Sequence, residues 1–232
     1  MPQMKFSLII PAYNEAENIG AVVSNLAAAL RNSGDSFEII VVNNGSADDT
    51  SAVLKKLPGE IPELMTTDVF PNQGYGNGVL AGLAVAQGDI LGWMHADNQV
   101  SPKDVLLIYQ NLKEKNLDFC KAVRVGRDEH WMRIIQSRVY NTFFRLLFGG
   151  ELRDINGTPK IFKREMYEKL NLHSRDWFLD PEVVIKALRL GVAIGEVEIK
   201  WRMRPGGSSH VSQGTWMQFV KNLIKYKIGI EM

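Results

Sequence analysis

The chain has 232 residues, 45% of them hydrophobic, and a formal net charge of +1. That length supports one substantial core without a compositional break, so a single domain over 1–232 is expected, and the near-neutral charge removes the electrostatic case for a nucleic-acid partner. The lone Cys120 excludes an internal disulfide or a cysteine zinc cluster and suits a reducing, cytoplasmic compartment. At the N-terminus MPQMKFSLII reaches polar residues after only a few apolar ones, too few for a signal-peptide core. No apolar run reaches the roughly eighteen residues of a membrane span. Phe6 to Ile10 and Phe37 to Val42 are short β-branched runs ending in polar turns, the pattern of buried parallel strands. Between them Glu17 to Leu30 repeats apolar residues at helical spacing (Ile19, Val22, Val23, Leu26), so the unit is a right-handed strand–helix–strand crossover. The alternation continues with helices over about Asp48–Leu57 and Gly78–Ala86, a strand over Ile90–Met94, and a helix starting at Pro102 with Ser101 as its cap. The second half is less regular: an amphipathic helix over Trp131–Phe148, strand and helix signals up to Trp201, and a last helix from about Thr215.

The implied fold class is α/β, a Rossmann-like, mostly parallel sheet flanked by helices, with amphipathic helices in the C-terminal half. In such sheets ligands sit beyond the carboxyl ends of the strands. That rule singles out Tyr13-Asn14-Glu15, Asn43-Asn44-Gly45-Ser46 and His95-Ala96-Asp97-Asn98-Gln99, each of which follows a strand directly. Asp97 and Gln99 alternate along an extended segment, so both oxygens can face one side and suit a hard cation, with His95 on the same face. The same residues are also ordinary formers of turn hydrogen bonds, and the short motif alone does not decide between these roles. Gly74, Gly76 and Gly78 permit either close approach to a ligand or a tight entry into a helix; the second reading is preferred, with Asn72 near the ligand. On the Trp131 helix, Arg133, Ser137, Asn141 and Arg145 form a polar stripe, and Met132, Ile135, Val139, Phe143 and Leu146 an apolar one.

Read together, PAYNE, NNGSADDT, NQGYGNG and HADNQ occur in an order that resembles the family 2 inverting glycosyltransferases of GT-A fold. Within that family the chain is most similar to the dolichyl-phosphate mannosyltransferase-like branch, through SRVYN, DINGTPKIF, IGEVEIKW and RPGGSSH. The resemblance implies a nucleotide-sugar-binding half over 1–100 and an acceptor-binding half over 101–232. It puts Pro11, Tyr13, Glu15, Asn43 and Ser46 at the base and ribose, with Asn72 and Asp97 also at the nucleotide. A divalent metal, Mn²⁺ or Mg²⁺, would be held by Asp97 and Gln99, and by His95 if the imidazole ligates. His95 stands where the usual pattern has aspartate, and an imidazole would tilt the preference toward Mn²⁺. One of Asn43 and Asn44 also replaces a frequent aspartate, which leaves the identity of the base open.

The same resemblance turns Arg133, Ser137 and Arg138 into acceptor-phosphate contacts on a helix at the membrane surface. It makes Arg204, in a Gly-Ser-rich segment, a cation that closes over the diphosphate. Asp180 and Glu182 flank Pro181 at a helix start, where carboxylates also serve as caps. If the acceptor is a hydroxyl, Asp180 is the candidate general base; if it is a phosphate, no base is needed and Glu182 positions the acceptor or the arginine helix. The expected activity is transfer of a sugar from a nucleotide-diphosphate sugar to a polyprenyl-phosphate-type acceptor, with Asp97, Asp180 and Arg204 as the catalytic candidates. A glycan hydroxyl acceptor and a non-catalytic nucleotide-sugar-binding module are the alternatives. Trp216 to Ile228 can pack on the core, on a second subunit, or on an anionic membrane surface, so homo-oligomerisation and peripheral contact with the cytoplasmic membrane face are both open.

Overall fold

The computed structural model describes residues 6–126, 131–203 and 213–229, with the backbone alone for 131–133 and 213–216. In chain order the elements are β1 (Phe6–Ala12), α1 (Ile19–Arg31), β2 (Phe37–Asn43), α2 (Thr50–Lys56), β3 (Leu64–Asp68), α3 (Tyr75–Val85), β4 (Ile90–Trp93) and α4 (Pro102–Glu114). There follow β5 (Phe119–Val125), α5 (Trp131–Phe148), β6 (Lys160–Lys163), α6 (Arg164–Leu170), α7 (Leu179–Leu190), β7 (Ile194–Lys200) and α8 (Gln213–Lys227).

These strands form one seven-stranded sheet in the order β3-β2-β1-β4-β6-β5-β7. The first four neighbours pair in parallel, β6 runs antiparallel to both β4 and β5, and β5 and β7 are again parallel. β1 and β2 are buried along their whole lengths, which is why their sequences read as continuous apolar runs rather than alternating ones. One face of the sheet packs on α1 and α4 through Leu8, Ile10, Val23, Leu26, Ile39 and Ile108. The other packs on α3, α7 and the α5–α8 pair through Ile9, Val42, Val79, Phe144, Val184 and Leu223.

Most expected elements are present, with shifted starts. α1 begins at Ile19 because the Ile19 and Asn18 amides both donate to the Glu15 carbonyl, holding the preceding residues in a turn. Pro102 opens α4, but Ser101 makes no side-chain capping bond. β3 and β5 escaped the sequence reading. β3 is an edge strand with an alternating, half-exposed pattern, and β5 carries Lys121 and Arg124, which interrupt its apolar run.

The structure decides which stripe of α5 faces inward. Tyr140 and Phe144 are the residues it buries, whereas Ile135, Val139 and Leu146 are exposed, Leu146 by 79%. The polar stripe is nearer the body: Ser137 and Asn141 are half-buried, and Asn141 Oδ1 accepts the Ile155 amide at 2.9 Å.

Candidate active site

The loops after β1 and β2 are tied to each other. Asn14 adopts a left-handed φ of 55°, its amide donates to Ser46 Oγ at 3.0 Å, and its own Oδ1 accepts the Ala47 amide at 2.8 Å. Glu15 is buried, accepting from Asn18 Nδ2 at 2.9 Å while its backbone amide donates to Thr50 Oγ1. Pro11 is buried within β1, whereas Tyr13 is 37% exposed at the rim. Asn43 Nδ2 donates to Asp68 Oδ1 at 2.8 Å and its Oδ1 accepts the Ser46 amide at 3.2 Å. Asn72 Oδ1 takes the Gly74 amide at 2.8 Å at the entry to α3. The expected nucleotide residues Pro11, Tyr13, Glu15, Asn43 and Ser46 therefore converge on the carboxyl ends of β1 and β2, with Asn72 at the mouth of α3.

The glycines at the start of α3 serve packing. A Cβ on Gly76 would meet the Ser174 carbonyl oxygen at 2.3 Å and that of Asp176 at 2.7 Å, and one on Gly74 would meet the Arg175 oxygen at 2.5 Å. Only the missing side chains let residues 174–176 cross the helix entry, where the Asn77 amide donates to the Arg175 carbonyl at 2.8 Å. This crossing strap carries Trp177, which stacks on Tyr75 (4.5 Å between centroids, 12° between planes) and meets His95 edge-on at 6.1 Å. The strap is fixed from below by Glu182. This fully buried carboxylate accepts the Ser174 amide at 2.9 Å and pairs with Lys186 at 2.6 Å and with His173 at 3.1 Å. Among the described contacts Glu182 thus supports the strap; none joins it to α5.

At the end of β4, Asp97 Oδ1 accepts the Gln99 amide at 3.1 Å. Asp97 Oδ2 is 3.9 Å from His95 Nδ1, too far for a hydrogen bond. His95 Nε2 is buried with no hydrogen-bond partner among the described residues. Burial pushes the imidazole pKa below its ordinary value, with the Asp97 and Asp180 charges opposing that shift, so the ring favours its neutral, lone-pair-bearing form. Gln99 Nε2 donates to the Arg202 carbonyl at 2.8 Å, which ties this loop to the segment after β7. A carboxylate, an orphaned neutral imidazole and an amide oxygen fit a divalent cation. No group of three or more His, Cys, Asp or Glu is clustered for one among the described residues, so such an ion would take other ligands from the bound diphosphate.

Beneath this centre lies a set of buried charges of which sequence reasoning reached only Asp180. Asp180 Oδ1 accepts from Lys160 Nζ at 2.7 Å and from Trp93 Nε1 at 3.1 Å, and Lys160 is fully buried. Desolvation brings the Lys160 pKa down to about 8 against the opposing pull of Asp180. Arg124 forms a bidentate pair with Asp154, both bonds 2.7 Å, and lies over the Trp201 ring at 4.9 Å. Lys121, also fully buried, pairs with Glu196 at 2.9 Å. The available signal was a lysine or arginine inside otherwise apolar strands, since a charge survives there only with a built partner. Of the proposed acceptor residues, Ser137 is half-buried and Arg138 exposed on α5. The Arg133 side chain and the whole of Arg204 lie outside the described residues.

A mostly parallel sheet with a metal-suited loop beyond β4 and polar loops beyond β1 and β2 fits a nucleotide-sugar-handling enzyme of the GT-A class. The match to the sequence model described as Glycosyl transferase family 2, over residues 7–171, makes this explicit: the chain belongs to that family. Among curated relatives it is 28% identical to an undecaprenyl-phosphate 4-deoxy-4-formamido-L-arabinose transferase of Serratia proteamaculans, over 96% of this chain and 68% of that one. It is 25% identical to the dolichyl-phosphate beta-glucosyltransferase ALG5D of Trichomonas vaginalis (91% and 70% covered), and 27% identical to glycosyltransferase AglD of Haloferax volcanii, of which it spans only 34%. Among solved structures, glucosyl-3-phosphoglycerate synthase from Mycobacterium tuberculosis, in complex with Mn²⁺, UDP and glucosyl-3-phosphoglycerate, aligns with a TM-score of 0.75 at 20% identity. That alignment covers 99% of this chain and 81% of that one. At this identity the likeness shows the shared GT-A fold.

Proposed function

We propose that the chain transfers a sugar from a nucleotide-diphosphate sugar to a polyprenyl phosphate, by single displacement with inversion at the anomeric carbon. The observation that carries the choice of acceptor is the state of Asp180. A general base must reach and accept the acceptor proton, and here Asp180 is only 3% exposed and its charge is ion-paired with Lys160 at 2.7 Å inside the core. A phosphate acceptor is already ionised and needs no base. The names of the curated relatives, an undecaprenyl-phosphate transferase and a dolichyl-phosphate transferase, support the same acceptor class.

In this reading Asn43, Ser46, Tyr13, Glu15, Pro11 and Asn72 hold the nucleoside. Asp97, with Gln99 and His95, would hold a divalent cation, whose positive charge would offset that of the departing diphosphate. The Mn²⁺ and Mg²⁺ complexes with UDP of the structural neighbours favour that metal dependence. Arg204 closes on the same diphosphate. Arg133, Ser137 and Arg138 on α5 receive the acceptor phosphate. Glu182 positions the strap that carries Trp177.

No helix among the described residues is long and apolar enough to cross a membrane. Yet α5 exposes Ile135, Val139 and Leu146, α8 exposes Met217 and Ile224, and Ile228 is exposed just after it, in helices joined through Tyr140–Phe219 and Phe148–Tyr226 ring contacts. With exposed Arg138, Arg145, Lys221 and Lys225 beside them, these faces suit peripheral contact with the anionic surface in which a polyprenyl phosphate resides.

The test is sugar transfer from labelled nucleotide sugars to undecaprenyl phosphate in vesicles, with Mn²⁺ or EDTA, using wild type and Asp97→Ala. Metal-dependent product that vanishes in the variant is expected. Nucleotide binding without transfer to any acceptor offered would overturn the transferase reading in favour of a non-catalytic module.

A further inference from the structure

The donor base is the part of the substrate that the family assignment leaves undefined, and the ends of β2 and β3 carry a device that can choose it. Asn43 and Asp68 are the last residues of these strands and are register partners. The Asn43 amide is committed at both ends, donating to Asp68 Oδ1 at 2.8 Å and accepting the Ser46 amide at 3.2 Å, and the Asn43 carbonyl accepts the Val69 amide at 2.9 Å. Asn43 is therefore a fixed bracket. What it holds is the Asp68 carboxylate, exposed at the sheet edge, with no donor on Oδ2 among the described residues. Two residues further on, Phe70 is 88% exposed, and Tyr13 stands 37% exposed at the end of β1. An oriented carboxylate and exposed aromatic rings at strand ends are the ingredients of base recognition, a π-face to stack on and an edge to hydrogen-bond.

Sheet geometry puts this device within reach of the nucleotide. If Asp97 at the end of β4 marks the diphosphate, β1, β2 and β3 follow in order, and neighbouring strands about 4.8 Å apart place Asp68 roughly 14 Å away, in the direction a nucleoside extends. In the opposite direction the end of β5 is occupied by the Arg124–Asp154 pair.

Resting on the donor-site reading above, we propose that Asp68 is a specificity-determining residue that selects a base presenting a ring N–H. A carboxylate only accepts. Uracil at N3 and guanine at N1 offer it a ring hydrogen, whereas cytosine N3 and adenine N1 turn a lone pair toward it and leave only the neighbouring exocyclic amine to donate. Asn43 positions Asp68, and Phe70 covers the base.

The experiment is calorimetric titration of UDP, GDP, CDP and ADP, with Mn²⁺, into wild type, Asp68→Asn, Asp68→Ala and Phe70→Ala, each checked for an unchanged thermal transition. Wild type is expected to bind UDP or GDP at least about tenfold tighter than CDP or ADP, and the arm that wins identifies the base. Asp68→Asn is expected to weaken that nucleotide by about tenfold or more, as loss of a charge-assisted bond implies, and to improve CDP, because an amide donor now faces its N3. Phe70→Ala is expected to weaken all bases alike. A wild-type preference for CDP or ADP overturns the inference and leaves the donor site standing, as does an unchanged ranking in both Asp68 variants. If wild type binds none of the nucleotides, the transferase reading falls and this inference with it.

Discussion

Replacing Lys160 by Met removes the cation that Asp180 holds at 2.7 Å while both side chains are almost wholly enclosed, 0% and 4% exposed. The carboxylate keeps the Trp93 Nε1 bond but loses its counter-charge, and breaking a buried pair in this way costs about 3–5 kcal/mol. For a chain of this size that corresponds to a fall in Tm on the order of 10 °C. Asp180→Asn is milder, because the amide oxygen still accepts from Trp93 and Lys160, already brought down to about 8, can release its proton. The double variant, an apolar side chain beside a neutral amide, should be more stable than Lys160→Met alone. Urea unfolding at constant m-value supplies the cycle. A cost below about 1 kcal/mol for Lys160→Met, or strictly additive single variants, would refute the argument that this pair is interdependent.

The pH dependence has a definite sign. Lys160 is lowered in the folded state from 10.5 to about 8, so between those values the unfolded chain binds more protons and Lys160 contributes a stability that rises with pH. Lys160→Met removes this rising component. The same variants discriminate acceptors: loss of a general base lowers turnover by about 10²–10⁴, whereas with a phosphate acceptor folded Asp180→Asn should stay within about tenfold of wild type, because no proton has to be removed.

Two further outcomes follow from the packing of the strap and the helices. Gly76→Ala forces its Cβ against the Ser174 and Asp176 carbonyl oxygens, backbone atoms that cannot rotate away; it should cost about 1–3 kcal/mol and, by lifting Trp177 from Tyr75, raise the fluorescence sensitivity of that tryptophan to quenchers. Val139→Glu with Leu146→Glu replaces side chains that are 50% and 79% exposed, so urea stability should change by less than about 0.5 kcal/mol, while co-sedimentation with anionic vesicles should fall several-fold. Unchanged vesicle binding would remove α5 from the membrane contact.

Much of the first half of the fold was legible in the sequence. β1 and β2 are buried on both faces, so their apolar runs and the polar turns that end them identify the strands and the loops beyond them, where Asn43, Ser46 and Asp97 stand as the proposed ligand residues. The second half was less legible. β5 looked broken because its Lys121 and Arg124 find buried partners, Glu196 and Asp154, that come from distant parts of the chain. The periodicity of α5 marked an apolar and a polar stripe but not which of them faces inward, and that depended on α8 and residues 154–155 arriving to cover Tyr140, Phe144 and Asn141. By itself the sequence determined the strand–helix alternation, the loops that can hold a nucleotide and a metal, and the family, because these depend on local periodicity and short motifs. Only the tertiary structure decided that Asp180 is bound to Lys160, that Glu182 anchors the strap, and that Asn43 brackets Asp68. The Asp180–Lys160 and Asn43–Asp68 pairings join residues 20 and 25 positions apart, and the Glu182 contacts, though closer in sequence, need the strap folded back over the start of α7.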